Sequence, residues 1–181
     1  MKKREFLIFF LCFFTLAFSQ EKQEKIQWQE GVLLEWEDFG APPDSANSFS
    51  ANTNSGMGYS WNYSTASGEP VLIYEVSANF YPNLSWVKDI QNKEYLLAHE
   101  QLHFDISELH ARKLRKALDN YDLGRNIRQD LKRIYSQIES KRVSMQNQFD
   151  KETSHSENRS AELRWRKFVA DELQKLENYS S

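Results

Sequence analysis

The chain has 181 residues, with 23 lysines and arginines against 26 aspartates and glutamates, and a net charge of −3. That is the size of one domain. A slightly acidic chain is a poor partner for nucleic acid or an anionic membrane, and neither is expected. The N-terminus comes first in chain order. Lys2, Lys3 and Arg4 precede an almost wholly apolar run from Phe6 to Phe18, and Ala17-Phe18-Ser19 puts small residues where a signal peptidase reads. This pattern predicts a cleaved signal over residues 1–19 and an exported protein, periplasmic or extracellular. The run is short for a span of ~20 residues, so no stable membrane insertion is expected after cleavage. The single cysteine, Cys12, leaves with the signal. A disulfide-free exported domain over residues 20–181 must then be held by its core or by a metal.

Two textures divide that domain. Residues 20–88 hold five of the six glycines and all four prolines, and read as strands and loops. "GVLLEWEDF" predicts a short strand from Val32 to Trp36, and Asn54-Ser55-Gly56 a turn after a long loop. Tyr59, Trp61 and Tyr63 alternate, which predicts a half-buried strand. Ser67-Gly68-Glu69-Pro70 is a turn, and Val71 to Tyr81 is the strongest strand, pairing with Tyr59 to Ser64 as a hairpin.

From Asp89 onward the pattern is helical. One helix is expected from about Asn92 to Leu118. A second runs from about Arg125 to Phe149 on the stripe Ile127, Leu131, Ile134, Ile138, Met145 and Phe149. A third runs from about His155 to Asn178, with Ser154 as N-cap and Glu157 reaching back to it. The predicted class is α+β, a small antiparallel sheet in the N-terminal half packed on three long helices.

The first helix carries "LLAHEQLHFD". At ~100° per residue, His103 falls about 40° from His99, and Glu100 about 100° from it. Leu102, Ile106 and Leu109 flank this arc on one side, Leu97, Phe104 and Leu118 on the other, so it points inward. Glu94, Asp105, Glu108 and Arg112 lie roughly opposite and are expected to be solvated or ion-paired. Histidines four apart on a helix can reach one zinc ion. The glutamate beside them can accept a proton from water. His99 and His103 are therefore candidate metal ligands and Glu100 the candidate catalytic base. The bare motif also arises by chance, and a lone buried histidine is more often a satisfied core residue. The five tryptophans are expected to pack in the core and against strands.

"LLAHEQLHFDISELHARKL" resembles the central motif of a bacterial family of unknown function, number 922 in the domain-of-unknown-function series. Its members are described as predicted secreted zinc-dependent proteases. The family pattern also has an upstream L-x-W-x-D-F, matched by Leu34, Trp36, Asp38 and Phe39, and an S-W-V, matched by Ser85 to Val87. Its downstream Y-D-x-x-T-x-H-G is matched by "FDKETSHS", Phe149 to Ser156, with Phe149 in place of tyrosine and Ser156 in place of glycine. The resemblance implies a zincin-like zinc metallopeptidase with a peptide or protein substrate.

A catalytic zinc keeps three protein ligands and an open position. His110 shares the helical face, but it lies about 10 Å beyond His103 along the axis, too far for one ion on a straight helix. His155 is the preferred third ligand, since one return of the chain can bring it alongside His99 and His103. Asp150 is the alternative, or else orients a ligand imidazole through its other nitrogen; Glu152 is a further candidate. Val71 to Tyr81 is the candidate edge strand for an extended substrate. Two rivals stand beside the peptidase: a non-catalytic, metal-stabilised envelope protein, and an amidase acting on cell-wall amides.

Overall fold

The computed structural model describes residues 24–66, 68–88 and 93–181. The predicted signal and the expected helix start at Asn92 lie outside these residues. The class is α+β, as expected. Strands β1 (Ile26–Gln27), β4 (Val71–Phe80) and β3 (Ser55–Ser64) form an antiparallel sheet in the order β1-β4-β3. Strands β2 (Ala51–Asn52) and β5 (Trp86–Val87) form a separate antiparallel pair. The predicted hairpin is present, with Tyr59 opposite Val76 and Ser64 opposite Val71. It is longer than expected: β3 begins at Ser55, inside the predicted turn, and pairs there with Phe80.

Three helices follow: α1 (Lys93–Asp119), α2 (Ile127–Thr153) and α3 (Arg159–Lys175). No helix among the described residues is long and apolar enough to cross a membrane. Helix α1 is central. On one side it meets the sheet through Met57, Val76, Ala78, Phe80, Phe104 and Leu114. On the other, Leu102 and Ile106 meet Phe149 of α2 with Trp165 and Val169 of α3. A helix covered all round becomes a site scaffold, because its side chains have almost no freedom to move.

Three expectations are corrected. Residues 32–36 form no strand. The Leu34 N–H is taken by the Gln101 side chain at 2.8 Å, and Trp36–Asp38 curl into a 3-10 turn that Glu35 and Asp38 close reciprocally. The third helix does not start at His155. Helix α2 runs on to Thr153, and Ser154, His155 and Ser156 then all take positive φ, at 50°, 49° and 75°. Asn158 is the N-cap of α3, its side chain accepting the Ala161 N–H at 3.2 Å. The predicted charged arc is divided: Glu94 is exposed and Glu108 and Arg112 are ion-paired at 3.0 Å, as expected, but that pair is covered and not at the surface. Glu108 and Arg112 are buried and Asp105 is half-buried, because α3 and the chain beyond it cover that side of α1. Asp105 accepts from Trp28 Nε1 and Gln101, both at 2.8 Å, and burial pushes its carboxyl upward. Trp28, Trp86 and Trp165 are buried, and Trp36 and Trp61 pack against the core half-buried.

Candidate metal centre

The site lies where the N-terminal half of α1 meets the C-terminal end of α2. Antiparallel packing sets Phe149, fully buried, against both histidines of α1. His99 stacks on its ring at 4.5 Å, and His103 meets it edge-on at 5.0 Å. One residue later along α2, Asp150 Oδ1 lies 3.4 Å from His99 Nε2 and 3.0 Å from His103 Nε2. One ligand atom from each of His99, His103 and Asp150 thus lies within 4.8 Å of the others, a grouping able to hold a metal ion.

Both histidines are nearly buried, and their environments differ. His99 Nδ1–H donates to Glu162 Oε2 at 2.9 Å, and Glu162 is fully buried on α3. His103 Nδ1 is buried with no partner. Burial works to lower the His99 imidazole, but its bonds to Asp150 and Glu162 outweigh it and carry the group up to about 9. Burial likewise works to raise the Asp150 carboxyl, yet His103 and His99 hold it well below the usual carboxylate range. Without a metal, these groups therefore favour a proton between imidazole and carboxylate, in the space that a cation can share.

Glu100 is buried, and its Oε2 has no hydrogen-bond partner. It lines a cleft of about 540 Å³ together with His99, His103 and Asp150. One wall of the cleft is the segment Ser48 to Thr53, tied to α1 by Thr53 Oγ1 donating to the Glu100 carbonyl at 3.3 Å. Gln146 and Ser55 brace the other side of the same turn, donating to the His103 carbonyl at 3.1 and 3.2 Å.

The remaining predicted residues fall into place around this centre. His155 sits at the mouth, its side chain 45% exposed, its ring tilted against Phe49 at 4.0 Å with Nδ1 3.7 Å from Asp150 Oδ1. Here Asp150, and not His155, stands with the two histidines. Glu152 is turned away and accepts from Trp165 Nε1 at 2.8 Å. His110 is buried outside the cluster, its Nδ1–H donating to the Ile106 carbonyl at 2.9 Å, and burial pushes it down to about 4. The expected edge strand is also misplaced: β4 is the middle strand of its sheet and does not line the cleft. Glu162 was not anticipated, since in sequence it is one more acidic residue on an amphipathic helix.

With this geometry established, comparison with known proteins adds one finding. Residues 85–156 match a family described as bacterial protein of unknown function (DUF922). The match spans β5, α1, α2 and the turn through His155, and so includes every member of the metal grouping. No curated protein and no solved structure matches the chain.

Proposed function

We propose that this chain is an exported zinc-dependent metallopeptidase, hydrolysing peptide bonds in the cleft above His99, Glu100 and His103. The observation that carries the reading is Glu100 Oε2: a buried carboxylate oxygen, without a partner, beside a His-His-Asp grouping on the floor of an open cleft. Native proteins rarely leave a buried carboxylate oxygen unsatisfied, and a water held there supplies the missing donor.

Two nitrogens and one carboxylate oxygen are a donor set suited to zinc. His99, His103 and Asp150 would hold the ion, and His155 at the mouth is positioned to meet substrate. Zinc, when bound, supplies the positive charge that acidifies water and polarises the scissile carbonyl. Glu100 takes a proton from the attacking water, whose oxygen bonds to the carbonyl carbon. As the C–N bond breaks, Glu100 returns that proton to the leaving amine. Within the wall from Ser48 to Thr53, the short strand β2 offers an extended stretch along which a peptide can lie, in place of Val71 to Tyr81.

The non-catalytic reading keeps one supporting observation: the grouping spans α1 and α2, so an ion there would also cross-link two helices. One experiment separates the two. Protein purified without chelator is analysed for metal and incubated with a peptide library and with cell-wall amides. About one zinc per chain with peptide cleavage that Glu100→Gln abolishes supports the peptidase; cleavage of cell-wall amides alone moves the substrate class. Zinc that raises Tm without any hydrolysis leaves only the structural role. In the same series, Asp150→Asn should weaken zinc binding more than His155→Ala; the reverse order would return the third-ligand role to His155.

A further inference from the structure

Glu162 is a fully buried carboxylate on a helix outside the stretch that matches the bacterial family. Burying a carboxylate is costly unless charge partners and hydrogen bonds compensate it. Both of its oxygens are engaged. Oε2 accepts His99 Nδ1–H at 2.9 Å, and Oε1 accepts from the Arg166 guanidinium at 3.1 Å. Arg166 is itself anchored over the Tyr95 ring at 5.4 Å and reaches the Tyr95 carbonyl at 3.4 Å. Tyr95 precedes His99 by one helical turn. The chain Tyr95–Arg166–Glu162–His99 therefore leaves α1, passes through α3 and returns to α1 at the imidazole.

We infer that Glu162 is a positioning residue: it holds His99 with the proton on Nδ1 and Nε2 facing Asp150, and Arg166 in turn fixes Glu162. This rests on the proposed metal reading of the His99–His103–Asp150 grouping. An imidazole can present either nitrogen, and the partner of one decides which is left for a metal. The contrast with His103 isolates the effect, since its Nδ1 has no partner. A carboxylate at this place fixes the tautomer, restrains the ring plane and makes Nε2 a stronger donor.

The test is zinc affinity, read by competition with a chromophoric chelator at one pH, on the wild type, Glu162→Gln and Arg166→Met. Glu162→Gln should weaken zinc binding about 10–100-fold. Arg166→Met should weaken it less, but measurably. Nitrogen-15 spectra of the metal-free chains above about pH 10, where the His99 imidazole is neutral, supply a readout that a purely structural role would not move. The wild type should show His99 protonated on Nδ1, and Glu162→Gln a loss of that preference. A wild type that binds no zinc overturns both the metal reading and this one. A wild type that binds zinc while Glu162→Gln binds equally well, with the His99 signature unchanged, overturns this inference alone. Should Glu162→Gln not fold, an affinity for Arg166→Met equal to the wild type overturns it as well.

Discussion

Helix α1 carries two buried polar clusters, and they are built to opposite standards. Further along the helix, Glu108 is fully buried between Arg112 and Arg115, at 3.0 and 2.9 Å. The guanidiniums are completed from elsewhere. Arg112 donates to the Leu173 carbonyl at 2.9 Å and to Ser180 Oγ at 3.0 Å. Arg115 donates to the Tyr179 carbonyl at 2.7 Å and to the Val76 carbonyl at 3.0 Å. At the other cluster, one oxygen of Glu100 and one nitrogen of His103 have no partner at all. The same helix in the same core satisfies one cluster and leaves the other incomplete. A closed network binds elements together; an open one is where a ligand would complete the set.

The comparison breaks first at Glu108. Glu108→Ala leaves two buried guanidiniums without their carboxylate and should cost about 3–5 kcal/mol of folding stability in urea denaturation. A loss below about 1 kcal/mol would mean that the network is not structural.

Next in size is the pH response of His110, buried on α1 and bonded to the Ile106 carbonyl. Its imidazole is held down to about 4, against about 6.5 in the unfolded chain. The unfolded state takes up the proton first, so stability should fall as pH drops from 6.5 to 4 and level off below. His110 should account for up to ~3 kcal/mol of that fall. Subtracting the pH profile of His110→Gln from the wild type should reveal this slope; a flat difference would refute it. His99 runs the other way in metal-free protein. Its raised pKa of about 9 contributes stability below about 6.5 that is lost as pH rises through 9.

Smaller still is the effect at Ser156, whose φ of 75° suits glycine. Ser156→Gly should raise stability by about 1 kcal/mol, seen as a higher Tm. A fall would show that the serine side chain holds the turn. Smallest in stability is Glu100→Gln. Its Oε2 makes no hydrogen bond that the substitution could break, so the stability cost should stay below about 0.5 kcal/mol while the proposed hydrolysis disappears. A loss as large as that of Glu108→Ala would erase the distinction between the clusters.

The sequence foretold the hairpin and three helices because each rests on a local period: alternation in Tyr59, Trp61 and Tyr63, and three- and four-residue steps in Leu131, Ile134 and Ile138. His99, Glu100 and His103 were legible for the same reason, all lying within a few residues of one helix. What failed was decided at a distance. Glu108 and Arg112 look like a solvated face on a helical wheel, and only the chain around Leu173 to Ser180 shows that the face is covered. The turn after α2 was misread because Ser154 to Ser156 carry no glycine to announce three left-handed residues. Moving the helix end to Thr153 put Asp150 on α2 itself, rigidly beside the histidines, and left His155 at the mouth. Glu162 had no sequence signal at all, since its partner lies 63 positions away.

The closed cluster also bears on how the fold comes apart. Tyr179 and Ser180 complete Arg115 and Arg112 from 64 and 68 positions away in sequence. Without those two residues in place, the core around α1 would hold guanidinium nitrogens without acceptors, an expensive arrangement. The segment beyond α3 is therefore a latch, and a protease that nicks it would loosen the helix that carries the histidines.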